Sequence, residues 1–315
     1  MIVLFSSNGD HSTHKIIDWL IHFEVSYLRV NLEDEHAENI VLQNDEFNTN
    51  ISLKLVNGYK LQMNKVNYCV FRGGLFKKNE LSINSNILPD DLANMHIEYE
   101  IDTLIDAFYK EIDKKSLSSP LKYSVNKLNV LNLAMKKGLS IPAFIVASNK
   151  KDVLSFFSKE ESIITKALYE TVTFDHEGLY YYASVSEISI DQLPNKFFPS
   201  LFQKRVKKKY EIRSFFFNEE SYSIIIKNSN SVDFRDDYGK IEFEIYKLNF
   251  KVEQMVIGLM KKMGLNTGSV DFIVDENEKL YFLEINPIGQ FDWVSQVGGY
   301  NLYYKIAIFL KSKVL

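Results

Sequence analysis

The stretch Ser269-Val-Asp-Phe-Ile-Val-Asp-Glu-Asn-Glu-Lys-Leu-Tyr-Phe-Leu-Glu-Ile-Asn-Pro287 carries more chemical information than any other part of the chain. Two largely apolar runs flank a polar centre, Asp275-Glu276-Asn277-Glu278, which is the pattern of a β-hairpin. With the turn centred between Asn277 and Glu278, Asp271 lies opposite Glu284 and Ile273 opposite Phe282. Asn286 shares a face with Glu284, because side chains alternate along a strand. Two carboxylates and an amide oxygen then converge, with cross-strand Cβ atoms about 5 Å apart. Hard oxygen donors of this kind suit Mg²⁺. On spacing alone an exposed acidic hairpin is the rival reading. It accounts for the tip residues Asp275, Glu276 and Glu278. It accounts badly for Asp271 and Glu284, which lie deep in otherwise apolar strands.

Working outward, the 315 residues are enough for two domains or one large one. Hydrophobic residues at 46% and charged residues at 25% are ordinary for a soluble globular chain. Glycine is scarce: 13 residues, about 4% against a usual value of about 7%. No G-x-G-x-x-G and no G-x-x-x-x-G-K-[ST] occurs, which excludes the two commonest glycine-built phosphate cradles. A net charge of −4 argues against a nucleic-acid partner. Cys69 is the single cysteine, so there is no disulfide framework and no multi-cysteine metal site, and a reducing compartment is expected. It follows an apolar strand pattern and reads as core rather than nucleophile. The first residues read as a strand rather than a signal peptide, and no apolar stretch approaches a membrane span. A cytoplasmic protein with no membrane partner is expected.

Strand-like runs at 2–6, 27–30 and 66–71, a helical run at 13–23 and a hairpin turning at Gly58 predict a small α/β domain with some parallel sheet. Residues 92–112 form a long helix and 116–120 a linker. Beyond it, Ser124 is positioned to cap a helix that Gly138 stops, and 141–146 and 162–166 read as strands around a helix at 152–157. Residues 201–227 are mostly strand with a turn at Asn218-Glu219-Glu220. A helix at 248–263 ends at Gly264, and a last helix covers 300–310.

In this setting the hairpin, with Leu283-Glu284-Ile285-Asn286-Pro287, resembles the metal-binding end of ATP-grasp ligases. Further pieces follow the same order: Asn126-Lys127-Leu128, Phe198-Pro199-Ser200-Leu201-Phe202-Gln203, Glu211-Ile212-Arg213 and Asp233-Phe234-Arg235. The continuation Ile288-Gly289-Gln290-Phe291-Asp292-Trp293 is similar to the peptide-maturing graspetide synthetases of the microviridin type, most of all their "grasp-with-spasm" branch.

The resemblance covers nearly the whole chain and implies an α/β and α+β molecule, an ATP-grasp fold behind a pre-ATP-grasp α/β domain. The divisions expected are 1–117 for that domain, 118–200 for the central subdomain and 201–315 for the C-terminal lobe with the Mg-binding hairpin. It implies ATP and two Mg²⁺ ions, the metals held by Asp271, Glu284 and Asn286. Lys127 and Lys166 would lie on phosphate, a task suited to point charges on flexible stems, although each lysine taken alone reads as a solvated surface residue. Gln203, with the backbone of Lys204 and Val206, would form the adenine hinge, and Glu211 would accept from the ribose. Lys227 would bind near the phosphates. Arg213 and Arg235 are the expected catalytic cations.

The run Lys204-Arg205-Val206-Lys207-Lys208-Lys209 reads equally as a solvated basic loop or as an attractor of an acidic partner. The family's glycine-containing phosphate loop has no counterpart after Lys166, where only Gly178 occurs; Thr171 and Thr173 are the substitutes considered, and His176 reads as an exposed loop histidine. The activity implied is ATP-dependent macrocyclisation of a ribosomal precursor peptide, with a leader and an acidic, Thr-containing core, through side-chain esters or amides. A homodimer is compatible with it. The rival readings are an ATP-grasp ligase that joins an amino acid or small molecule to a protein or peptide, and a non-catalytic ATP- or peptide-binding member of the fold.

Overall fold

The computed structural model describes residues 1–314 apart from 32–36, 45–48, 56–57, 74–90, 170–172, 177–178, 183–184, 230, 233 and 238. The chain divides into two compact units, Met1–Ser124 with Gly264–Gly268 and Pro287–Leu315, and Val125–Met263 with Ser269–Asn286. Pro287–Leu315, placed by sequence in the lobe 201–315, thus groups with the N-terminal residues.

The first unit begins with β1 (Ile2–Ser6), α1 (His11–His22) and β2 (Tyr27–Asn31). β3 (Ala37–Asn44), β4 (Thr49–Leu55) and β5 (Lys60–Gln62) form a three-stranded antiparallel sheet. β6 (Tyr68–Phe71), α2 (Asp91–Asp113) and β7 (Ser116–Leu117) follow. The strand order β2-β1-β6-β7 is parallel throughout, and β1 is buried along its whole length, as its unbroken apolar run requires. The core under this sheet includes Phe5 and Phe108, whose rings meet edge to face at 6.2 Å. Cys69 lies in it, and burial pushes the thiol up to about 12, so core packing is its role. The expected linker is a correction: Ser116 and Leu117 pair with Cys69 and Val70, and Ser116 through Ser119 are buried. Serine hydroxyls there find partners inside, as Ser116 does on the Ser118 carbonyl, so a polar composition does not mean a loose segment.

Asp10 caps α1 by accepting from the Ser12 amide at 3.1 Å. Its other carboxylate oxygen receives Thr13 Oγ1 at 2.7 Å, Ser6 Oγ at 3.2 Å and the Arg72 guanidinium at 3.3 Å. Burial alone would raise its pKa, yet Arg72 and the two hydroxyls hold it below the usual carboxylate value. α6 (Asp292–Gly298) and α7 (Leu302–Lys311) complete this unit, with α7 packed on α1.

The second unit opens with α3 (Lys127–Lys136). Its cap is Asn126, which accepts from the Asn129 amide at 3.0 Å, rather than Ser124. Gly138 ends that turn at φ +89°, as expected. β8 (Phe144–Asn149), α4 (Lys150–Phe156), β9 (Ile163–Lys166), the ribbon β10 (Thr173–His176) with β11 (Leu179–Tyr182), β12 (Ser186–Ile188) and β13 (Lys196–Lys204) follow. β8 starts beyond Pro142, which has no N–H for a ladder. β12, β9, β13 and β8 form one antiparallel sheet in that order.

A second sheet is built from β14 (Lys208–Phe217), β15 (Glu220–Lys227), β16 (Glu242–Tyr246), β17 (Thr267–Asp275) and β18 (Leu280–Asn286), in the order β16-β15-β14-β17-β18. Asn218 and Glu219, at φ +52° and +62°, make the tight turn between β14 and β15. α5 (Phe250–Met263) packs on α3, and α3 on β18. Among the described residues no helix is long and apolar enough to cross a membrane.

Candidate active site

A cavity of about 560 Å³ lies between the two sheets of the second unit. β9 and β13 supply Ile164, Lys166 and Gln203 to its wall, β14 supplies Glu211, and the hairpin β17–β18 supplies Asp271, Ile273, Leu283 and Glu284.

The hairpin pairs Ser269 with Asn286, Val270 with Ile285 and Asp271 with Glu284, the register expected from sequence at this end. Beyond Asp271 the register slips by one, so that Phe272 faces Phe282 and Ile273 faces Tyr281 rather than Phe282. The extra residue is Leu283. The buried residues of β18 are therefore Phe282 and Ile285, three apart, which regular alternation forbids. The bulge lets Leu283 and Glu284, neighbours in sequence, both line the cavity.

Two carboxylates facing each other need cations, and each has one. Arg213 Nη1 lies 2.5 Å from Asp271, with side-chain exposures of 9% and 23%. Lys166 Nζ lies 4.0 Å from Glu284 and is itself 11% exposed. Burial pushes the Lys166 pKa below the usual lysine value; Glu284 opposes this, while Lys127 adds to it. Lys127 sits at the first position of α3 and donates to the Tyr169 carbonyl at 2.9 Å and that of Ala167 at 3.4 Å. It thus ties down the backbone that follows Lys166. Thr171, considered as a substitute for the missing glycines, lies outside the described residues, as do the side chains of Thr173 and His176; the two-stranded ribbon β10–β11 stands in this region.

Gln203 is buried in β13, and its Nε2 has no hydrogen-bond partner; the same holds for Arg213 Nε. Orphaned buried donors of this kind cost free energy unless a ligand meets them. With the oxygen donors Asp271, Glu284 and Asn286, they fit a nucleotide with a hard divalent cation. Among the described residues no group of three His, Cys, Asp or Glu could hold a metal ion. A cation here would therefore rest on two carboxylates, one amide oxygen and non-protein oxygens, which is the manner of Mg²⁺. The Lys204 amide, at the end of β13, donates to the Ala143 carbonyl at 2.8 Å. Val206 lines the cavity beside it.

The basic run is matched inside the unit. Lys204 pairs with Glu161 at 2.8 Å, Arg205 with Glu187 at 2.5 Å, Lys207 with Glu276 at 3.0 Å and Lys208 with Glu211 at 2.5 Å; Lys209 pairs with Glu278. Lys207 and Lys209 pair with the acidic hairpin tip, and the run stays largely solvated, as one of the two alternatives expects, with Lys208 its buried member. Glu211, expected to accept from a ribose, pairs with Lys208.

Lys227 is placed elsewhere. It pairs with Glu244 at 2.5 Å, and alternation along β15 puts it on the opposite face from Ile226, the cross-strand partner of Glu211. Arg235 belongs to the short 3₁₀ turn Phe234–Asp237, and its side chain lies outside the described residues. Among the cavity residues that the sequence does not assign to the site are Leu283, Lys208 and Ser229. The first needs the bulge, and the others need contacts across 21 positions of chain.

The profile of the RimK-like ATP-grasp domain matches residues 124–310. A search of curated proteins finds no match. Among solved structures, a Chryseobacterium gregarium RiPP-associated ATP-grasp ligase, in complex with ADP and a leader and core peptide, superposes with a TM-score of 0.81 at 22% identity, over 99% of this chain and 96% of that one. The macrocyclase MdnC of Microcystis aeruginosa MRC, bound with precursor peptide MdnA, gives 0.76 at 21% identity, over 99% and 100%. The ATP-grasp ligase PsnB, complexed with minimal precursor, Mg and ADP, gives 0.73 at 15% identity, over 100% and 97%. At these identities the likeness carries the fold.

Proposed function

Since the chain belongs to the RimK-like ATP-grasp family and is an ATP-dependent ligase, we propose that its substrate is a ribosomally made precursor peptide, in which it forms internal esters or amides. The observation that carries this is the carboxylate pair Asp271–Glu284, each member held by its own cation, beside the orphaned amide of Gln203. The similarity to peptide-bound ligases and macrocyclases over nearly the full chain supports the choice of substrate.

In this reading Gln203 and the Lys204 carbonyl meet the base, Glu211 the ribose, and Lys127 and Lys166 the phosphates. Asp271, Glu284 and Asn286 hold Mg²⁺, which when bound neutralises charge between phosphate oxygens. A side-chain carboxylate of the peptide attacks the terminal phosphorus; the phosphorus bond to the bridging oxygen breaks, and ADP leaves. A Ser or Thr hydroxyl, or a Lys amine, then attacks the acyl carbon, phosphate leaves with the bonding pair, and the proton passes to solvent. Arg213 and Arg235 serve by offsetting the charge that gathers on the transferred group. The precursor carries a leader and an acidic, Thr-containing core, and the enzyme works in the cytoplasm, with homodimer formation open to it.

Intact-mass measurement of a co-expressed precursor tests this. Loss of one water per linkage with the wild-type protein, and no loss with Glu284→Ala, is expected. A mass gain, or an unchanged mass, with the wild-type protein overturns it.

A further inference from the structure

The ion pair between Lys208 and Glu211 is unusual for its position. In a regular strand residues 208 and 211 point to opposite faces. The pair forms because Lys208 is the first residue of β14, where the chain arrives from the hinge. Its members are 10% and 12% exposed, unlike the other pairs of the basic run, and both line the cavity. The Lys208 ammonium also donates to Ser229 Oγ at 3.0 Å. Ser229 Oγ in turn donates to Asp237 Oδ2 at 3.0 Å, which also accepts from the Ser231 amide at 2.8 Å. One lysine is thus fixed from two sides, by a carboxylate on β14 and by a hydroxyl in the segment after β15. Long lysine stems lose much rotamer freedom when ordered, so two anchors are needed to hold one in place.

We propose that Lys208 is a positioning residue that holds the Glu211 carboxylate in the orientation that receives the ribose hydroxyls of the nucleotide. This rests on the reading of Glu211 as the ribose acceptor and adds what orients it. Without Lys208 the carboxylate remains buried but loses the ammonium that it faces at 2.5 Å, so the bonds to ribose weaken while those to base and phosphates stay.

The test uses the full chain with Mg²⁺ and two probes, ATP and 2′-deoxyATP, bound in a calorimeter; thermal melts confirm that each variant folds. The wild type is expected to prefer ATP. Lys208→Met should weaken ATP binding about ten- to hundredfold, the size of losing a hydrogen bond to a charged group, and abolish the preference. Lys208→Arg should keep the preference. Glu211→Gln should lose it, and the double variant Lys208→Met/Glu211→Gln should be no worse than either single one. Ser229→Ala, which removes one hydroxyl, is the mild variant and should move the ratio a smaller way in the same direction. A wild-type ratio in both Lys208→Met and Ser229→Ala, alongside its loss in Glu211→Gln, overturns the role of Lys208 and leaves the ribose reading standing. No preference in the wild type overturns both.

Discussion

Replacing Arg213 by Met removes the cation paired with Asp271, one of two facing carboxylates, and the consequence can be sized from the hairpin. Asp271 and Glu284 are directly cross-strand, so their charges lie about 5 Å apart. At an effective dielectric constant of about 20, two like charges at that distance repel by about 3 kcal/mol. Asp271 and Glu284 retain 23% and 43% of their side-chain exposure, and Lys166 still faces Glu284, which reduces the figure to about 2 kcal/mol. For a unit of this size that is a fall in Tm of about 4–8 °C.

Two further results should accompany it. Adding Asp271→Asn to the Arg213→Met background should restore most of the lost stability, because the amide carries no charge to repel. Mg²⁺ alone should raise the Tm of Arg213→Met more than that of the wild type, where the ion must compete with the guanidinium for Asp271. Saturation to about 100 times the Kd stabilises by about 2.7 kcal/mol. Differential scanning calorimetry with and without Mg²⁺ reads all of this. An unchanged Tm in Arg213→Met, or an equal Mg²⁺ shift in both proteins, refutes the view that Arg213 stands in for a cation between the carboxylates.

Deleting Leu283 removes the extra residue, which puts Phe282 and Ile285 two apart on one face and keeps Glu284 opposite Asp271. Far-ultraviolet circular dichroism should then report a folded sheet, and Mg²⁺ binding should persist while nucleotide binding weakens with the loss of Leu283 from the cavity wall; loss of Mg²⁺ binding would contradict this register. Asp10→Ala removes the cap of α1 and the carboxylate paired with the Arg72 guanidinium, which keeps the Ile288 and Gly289 carbonyls, for a loss of about 2 kcal/mol in chemical denaturation. Because the Asp10 pKa is lowered on folding, its contribution is full above the ordinary carboxylate pKa and fades as pH falls through the lower folded value. The stability gap between wild type and Asp10→Ala should accordingly narrow in acid; a constant gap from neutral pH into strong acid would contradict this. Cys69, with its thiol pushed up to about 12, should resist a thiol reagent at pH 8 and react at once in denaturant.

Much of the fold is legible in sequence where one physical signal acts locally. Gly138 and Gly264 stop their helices because only they adopt φ of +89° and +70° without strain. Asp271 and Glu284 face each other as expected, but through two offsetting departures: the turn is centred on Asn277 rather than between Asn277 and Glu278, and the extra residue Leu283 restores the register at the open end. What escapes is non-local or breaks a period. Leu283 breaks alternation, so the pairing of Ile273 is misread beyond it. The first half of β13, before Leu201, escapes because its apolar residues do not follow burial: Phe198 is 84% exposed. Ser116 looks like linker because serine composition says nothing about a neighbouring strand 47 positions earlier. The cavity roles of Lys208 and Ser229, and the displacement of Lys227 towards Glu244, depend on partners that no local pattern announces.

The pairing of the hinge cations changes what a polyanion meets on approach. Five positive side chains in a run of six residues would form a collecting field for any phosphate-rich molecule. Each is instead neutralised by its own carboxylate, so what projects outward is a row of dipoles, whose field dies away faster than that of a charge and is further screened beyond about 8 Å at physiological salt. The mouth of the cavity is thus lined by paired charges, and in the proposed reading the attraction for phosphate begins at Lys166 on its wall. A nucleotide is therefore selected by entering, while long nucleic acids, which cannot enter, find nothing at the rim to hold them.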